Sequence, residues 1–260
     1  MEISQEIRSQ VLENLATLEK ENNITILLCV EAGSRAWNIP SIDSDYDVRF
    51  VYVHNDKRKY ISCISDVQEE IVLEAGNLDI KGYDIRKAYR LILSGEVNVY
   101  EWLASPIVYL ENKEKRWLID VAASENFDVG SVARKYYGLL KVIYIRDMRW
   151  VDKVKVKKYL YSLRSIMCCR YVLEHNKPVP LDMEQLLESM PIEYKEELDA
   201  LLKLKSETVD NYQTPRSVAL EDKVLQEITK LEGLLRGRWP ELNKKPDKMD
   251  ALLLKYIQEG

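Results

Sequence analysis

Hydrophobic periodicity changes once along this chain, and that change limits the folds open to it. Up to about residue 112, apolar residues recur both at helical spacing and in short β-branched runs; beyond it strand signals nearly vanish and helical spacing dominates. Ile7, Val11, Leu12, Leu15 and Leu18 mark one face of a helix over 4–21. ITILLCVE (24–31) and YDVRFVYV (46–53) read as buried strands. LDIKGY (78–83) is a further strand, and VQEEIVLE (67–74) a weaker one. From Asp84, a natural N-cap, Ile85, Ala88, Tyr89, Ile92 and Leu93 fall on one helical face. A short helix over 97–104 stops at Pro106. Helices are then expected at 113–124, 130–148, 153–175, 181–189, 191–205, 217–235 and 247–258, several of them separated by Pro178, Pro180, Pro191, Pro215 and Pro240. The fold class is therefore α+β: a mixed-sheet core over 1–112, followed by a C-terminal helical domain over 113–260.

Composition narrows the functional classes. With 46% hydrophobic and 31% charged residues the chain is an ordinary globular protein. Its net charge of -5 argues against a protein that coats nucleic acid non-specifically, though it allows a local basic groove. Cys29, Cys63, Cys168 and Cys169 lack the spacing of a zinc site and read as reduced structural thiols. The first residues have no signal-peptide core, and no apolar run approaches the roughly 18 residues of a membrane span. A cytoplasmic location, with no membrane partner, is the expectation.

Three features carry chemistry. Gly33-Ser34 follows a strand directly, where glycine lets backbone approach a ligand. Asp45 and Asp47 stand two apart at a strand start, so both carboxylates share a face with Arg49. Two like charges held together are costly without a cation, and magnesium suits such hard oxygen ligands, with manganese as a substitute. Asp79, in the frame Leu78-Asp79-Ile80, supplies a third carboxylate. Asp84 competes for that role but is better explained as a helix cap. Three carboxylates would hold two ions, one activating an attacking hydroxyl and the other holding a triphosphate. Each feature alone is weak, since a solvated D-x-D on a surface strand is common.

The ordered set resembles the polymerase-beta-like nucleotidyltransferase superfamily. Within it, GSRAWNIPSIDSDYDVRFVYV (33–53), LDIKGYDIRKAYRLILSGEVNVYEWLASP (78–106) and KKYLYSLRSIMCCRYVLE (157–174) resemble the RNA-ligase-associated, RlaP/YcgL-like branch. The resemblance runs over most of the chain. It implies that Gly33 and Ser34 contact nucleotide phosphates, Asp45 and Asp47 ligate magnesium, and Asp79 assists the acceptor hydroxyl. The donor would be an NTP, with ATP expected, and the acceptor an RNA end, a protein or a small molecule. The branch usually has glycine where this chain has Asn38, and asparagine tolerates unusual backbone angles better than most residues.

Other residues admit two readings. Arg35 is a phosphate contact or part of a surface salt bridge, and Arg49 lies where it would pair with a carboxylate. Lys153, Lys155, Lys157 and Lys158, with Arg164 beyond them and Tyr159 and Tyr161 between, form a basic cluster in an acidic protein. Lys158 and Arg164 are its expected nucleotide contacts, against the alternative of a solvated helix face. Many of the 16 tyrosines fall at helical spacing, with hydroxyls expected at the surface. A non-catalytic nucleotide-sensing module is the alternative from a different class.

Overall fold

In the computed structural model, which describes residues 3–62, 67–189, 193, 195–238 and 245–259, the early apolar runs pair into one sheet. Helix α1 (Gln5–Asn22) starts at Ser4, whose side chain accepts from the Ile7 N–H, and ends at Asn23 in the left-handed conformation. Strand β1 (Ile24–Glu31), the short helix α2 (Gly33–Ala36) and strand β2 (Tyr46–His54) follow. After the single turn α3 (Arg58–Ile61) come β3 (Glu70–Ala75), β4 (Leu78–Asp84), α4 (Ile85–Leu93), α5 (Val97–Leu103) and β5 (Val108–Glu111). The strands lie in the order β3-β4-β2-β1-β5. Only β2 and β4 run parallel; the other pairs are antiparallel, so the sheet is mixed.

Side-chain alternation decides what each face meets. Val48, Phe50 and Tyr52 of β2 point to the face covered by α1, against Val11, Leu15 and Leu18. Val51 and Val53 point the other way, into a larger core shared with the later helices. A register shift between Ile26 and Leu28 of β1 lets Leu27 and Leu28 both enter that larger core. The face carrying Asp47 and Arg49 is thus the one roofed by helices, which is why a cleft forms over it.

The remaining helices are α6 (Trp117–Glu125), α7 (Val129–Ile143), α8 (Val156–His175), α9 (Met183–Ser189), α10 (Lys195–Glu207), α11 (Val218–Leu235) and α12 (Pro246–Gln258). α7 runs on into a π-helical turn over Tyr144–Met148. The central member is α8, with fourteen buried residues along its length, and α7 packs along it. Two short strands interrupt the expected all-helical stretch: β6 (Lys153–Lys155) pairs with β7 (Gln213–Pro215). The helix expected from 153 therefore begins at Val156. Strand β5 was also not anticipated; it is four residues long and gains its definition by pairing with β1. Tyr136 and Tyr144 are buried rather than surface-facing, and Tyr136 finds a partner inside by donating its hydroxyl to Glu101 at 2.9 Å. Cys29, Cys168 and Cys169 are buried free thiols, while Cys63, Pro191 and Pro240 lie outside the described residues. No described helix is long and apolar enough to cross a membrane.

Close packing leaves β4 no room for a side chain at Gly82, where a Cβ would overlap the Phe50 ring. Phe50 is fully buried and cannot step aside. Gly82→Ala is expected to destabilise the protein by about 2 kcal/mol, in the range typical of overpacked cores. Urea denaturation of the two proteins checks this; equal midpoints would contradict the packing at this site.

Candidate functional site

The chain turns sharply out of β1. Glu31 is its last residue, and Ala32 donates its N–H to the Asp47 carbonyl at 2.8 Å. Gly33 then adopts φ 59, a left-handed conformation that disfavours any side chain. A Cβ on Gly33 would overlap Asp47 Oδ2, so glycine is required here both by backbone angle and by the carboxylate packed against it. Ser34 is buried, with its hydroxyl 3.4 Å from that of Ser44. Ser44 in turn accepts the Ser41 N–H at 2.8 Å, so the Gly-Ser turn and the loop before Asp45 are tied together. Asn38 has φ 61, the left-handed conformation that glycine would take most easily.

Asp45 sits exposed just before β2, and Asp47 is its second residue. The parallel register pairs Asp47 with Asp79 and Arg49 with Lys81. All four face the helices. Arg49 lies between the two acids: its Nη2 donates to Asp47 Oδ1 and to Asp79 Oδ2, both at 2.7 Å. Its Nη1 donates to the Asp79 carbonyl at 2.5 Å. Burial holds the Asp47 carboxyl above its usual pKa; Arg49 opposes this, and Asp79, Asp45 and Asp210 reinforce it. Among the described residues no three carboxylate, histidine or cysteine side chains converge as a metal cage. The physical reason at this site is that Asp79 is turned to Arg49. Asp45 and Asp47 still fit a hard divalent ion, because they bring oxygen donors and mutual repulsion to one strand end.

The other sequence-selected residues are placed as follows. Arg35 reaches back over the loop, donating to the Ser44 carbonyl at 2.6 Å and the Asp45 carbonyl at 3.1 Å, with its guanidinium 3.8 Å from the Tyr46 ring centroid. Lys158 pairs with Asp147 at 3.1 Å. Arg164 is buried, bonds Glu101 at 2.9 Å and stacks 4.0 Å from the Trp37 ring centroid. Glu101 also accepts from Trp37 Nε1 at 3.0 Å. Arg164 therefore sets the position of Trp37 and Glu101, which line a cavity of about 340 Å³. Its other walls include Gly33, Asp47, Arg49, Lys81 and Trp102. Asp84 caps α4, accepting the Arg86 N–H at 2.9 Å, and takes the Tyr60 hydroxyl at 2.6 Å. It is thereby occupied away from the other carboxylates.

Two parts of the site escaped the sequence reading. The first is Asp210, whose charge acts on Asp47 and which pairs with Lys157 and with Lys205 at 3.2 Å. Asp210 donates its own N–H to Asp43 at 2.6 Å, so this network fastens the D-x-D loop to the helical half. The second is Glu31, fully buried, which accepts the Asp47 N–H at 2.9 Å and the Tyr109 hydroxyl at 2.6 Å. The one signal for it was a charged residue ending an otherwise apolar strand.

Comparison with known proteins places the chain in a family. The model of the RNA repair pathway DNA polymerase beta family (RlaP) matches residues 7–255. The uncharacterised protein YcgL of Bacillus subtilis is 30% identical over 257 residues, covering 97% of each chain. A crystal structure of a nucleotidyltransferase-like protein from Exiguobacterium sibiricum aligns over 98% of this chain and 80% of its own, at 10% identity and a TM-score of 0.31.

Burial raises the Glu31 carboxyl from 4.5 to about 7, the hydrogen bonds from Tyr109 and Asp47 only partly opposing it. A raised pKa means the folded protein binds this proton more tightly than the unfolded chain. Its stabilising contribution is complete below pH 4.5 and is lost as pH rises through about 7. Glu31→Gln, which keeps the neutral form, should remove that loss, on the order of 3 kcal/mol between the two limits. Denaturant titrations of both proteins from pH 4.5 to 8 test this; parallel stability profiles would refute it.

Proposed function

The chain belongs to the RNA repair pathway DNA polymerase beta family, and from that premise we propose that it is a divalent-metal-dependent nucleotidyltransferase. It moves a nucleoside monophosphate from an NTP, ATP being the expected donor, to an acceptor hydroxyl. The acceptor oxygen bonds to the α-phosphorus while the bond from that phosphorus to the pyrophosphate oxygen breaks. The hydroxyl proton passes to a base and pyrophosphate leaves. The observation that carries this reading is the Gly33 turn packed against Asp47, with Asp45 two residues before it.

Each residue has a stated part. Gly33 leaves backbone open to the triphosphate, and Ser34 holds that turn to the D-x-D loop through Ser44. Asp45 and Asp47 hold the divalent ion, which when bound neutralises phosphate charge. Magnesium is the expected ion and manganese its substitute. Asp79, at the matching register position on β4, orients the acceptor hydroxyl and receives its proton. Arg35 fixes the loop through the Ser44 and Asp45 carbonyls, and we assign its guanidinium as a phosphate contact. Arg164 acts at one remove, through Glu101, and Lys158, paired with Asp147, is assigned as a nucleotide contact.

We assign the chemistry to residues 1–112 and assign cleft closure and acceptor choice to 113–260. The contact of Asp43 with Asp210 and that of the Met183 N–H with the Trp37 carbonyl support this division of labour. The acceptor in this reading is an RNA end, which accords with the RNA repair association of the family. AMP transfer to a protein side chain or a small molecule is the alternative acceptor chemistry. The cavity beside Asp47 is only about 340 Å³, room for one terminal residue rather than a duplex.

Labelled NTPs with magnesium, incubated with total RNA or lysate, test the proposal. Asp47→Asn is expected to lower transfer by about 100-fold or more. Thermal melting checks that the variant folds, asparagine keeping an oxygen able to accept from Arg49 Nη2. Label in RNA, protein or a small molecule with wild type alone identifies the acceptor class. NTP binding without pyrophosphate release would instead support a sensing module.

A further inference from the structure

Asp47 and Asp79 are direct partners across parallel strands, and the charge between them is a side chain of the same chain. One Arg49 nitrogen bonds both carboxylates, and another bonds the Asp79 carbonyl. Arg49 is held in place, with 14% of its side chain exposed and its own strand neighbours on either side. Its guanidinium occupies Asp47 Oδ1 and Asp79 Oδ2, one oxygen of each acid. Asp47 Oδ2, packed at Gly33, and the exposed Asp45 carboxylate have no hydrogen-bond or ion-pair partner among the described residues.

We propose that Arg49 is an internal cation standing where a second divalent ion would bridge Asp47 and Asp79, so that the nucleotide-free protein takes one divalent ion, on Asp45 and Asp47. This rests on the nucleotidyltransferase reading of the carboxylates. Asp79 then works as a carboxylate aimed by Arg49, not as a metal ligand. A planar guanidinium suits this task, since it serves two carboxylates and a carbonyl at once and keeps its charge at any working pH. An arginine also leaves the site less anionic before substrate arrives, which limits repulsion of the triphosphate. The arrangement makes position 49 the determinant of metal stoichiometry in this chain.

Manganese alone is the probe, with free Mn2+ counted by electron paramagnetic resonance during titration and no nucleotide present. Wild type is expected to bind one Mn2+ per chain. Asp79→Asn should change its Kd by no more than about threefold, whereas Asp47→Asn should weaken binding by about tenfold or more. Arg49→Met should admit a second Mn2+, and Arg49→Lys, which keeps a charge there if the methionine variant folds poorly, should not. Two ions on wild type, or a loss on Asp79→Asn equal to that on Asp47→Asn, would overturn the role of Arg49 while leaving the donor site standing. No Mn2+ on wild type or on the folded variants would overturn this inference and the metal-dependent reading together.

Discussion

The parallel pairing of β2 with β4 is the constraint on which the rest of the site depends. It places Asp47 opposite Asp79 and Arg49 opposite Lys81, all on one face. Like charges directly opposite in a sheet destabilise it, and here they are also partly buried. The Arg49 guanidinium between them offsets that repulsion. Lys81 is balanced separately by Glu70 on the neighbouring strand, which also receives Lys87. The charged face is therefore a set of compensated pairs, with Asp45 and one oxygen of Asp47 left over at the strand end.

Around that face the chain uses buried polar residues as spacers. Glu31 carries the Asp47 backbone, Glu101 carries Trp37 and Arg164, and Asp210 carries the D-x-D loop. Breaking one member of such a buried group leaves its partners unsatisfied, which costs more than the bond itself is worth. The cleft keeps its shape because its walls are fixed by charge and hydrogen bonding where a purely apolar lining could slide. The apolar packing lies elsewhere, under α1 on one face and around α8 on the other.

Much of this was legible in the chain itself. Strong local periodicity gave away α1, β1, β2, β4, α4 and the long helices, because each repeats its own pattern over enough residues. Asp84 was readable as a cap and Asn38 as a residue for a left-handed position. Strands β5 and β6 were not legible: each is four residues or fewer, and each is defined by a partner far along the chain. Which acid each lysine meets, Asp210 for Lys157 and Asp147 for Lys158, depends on the rotation of α8, which one-dimensional spacing does not set. Arg164 reads from the sequence as a nucleotide contact, and its burial against Glu101 and Trp37, 63 and 127 residues earlier, was not legible because those partners are set by tertiary packing.

By itself the sequence determined the elements, the alternation that puts Asp47 and Arg49 on one face, and the glycine that must precede them. These follow from backbone geometry within a few residues. Tertiary structure alone decided that β4 lies parallel to β2 in the register that sets Asp79 against Asp47. It also decided that Arg49 fills the space between them and that Glu31 lies beneath the turn. Those outcomes depend on which strands pair and on how far burial raises the cost of an unbalanced charge, and neither quantity is local to any stretch of the chain.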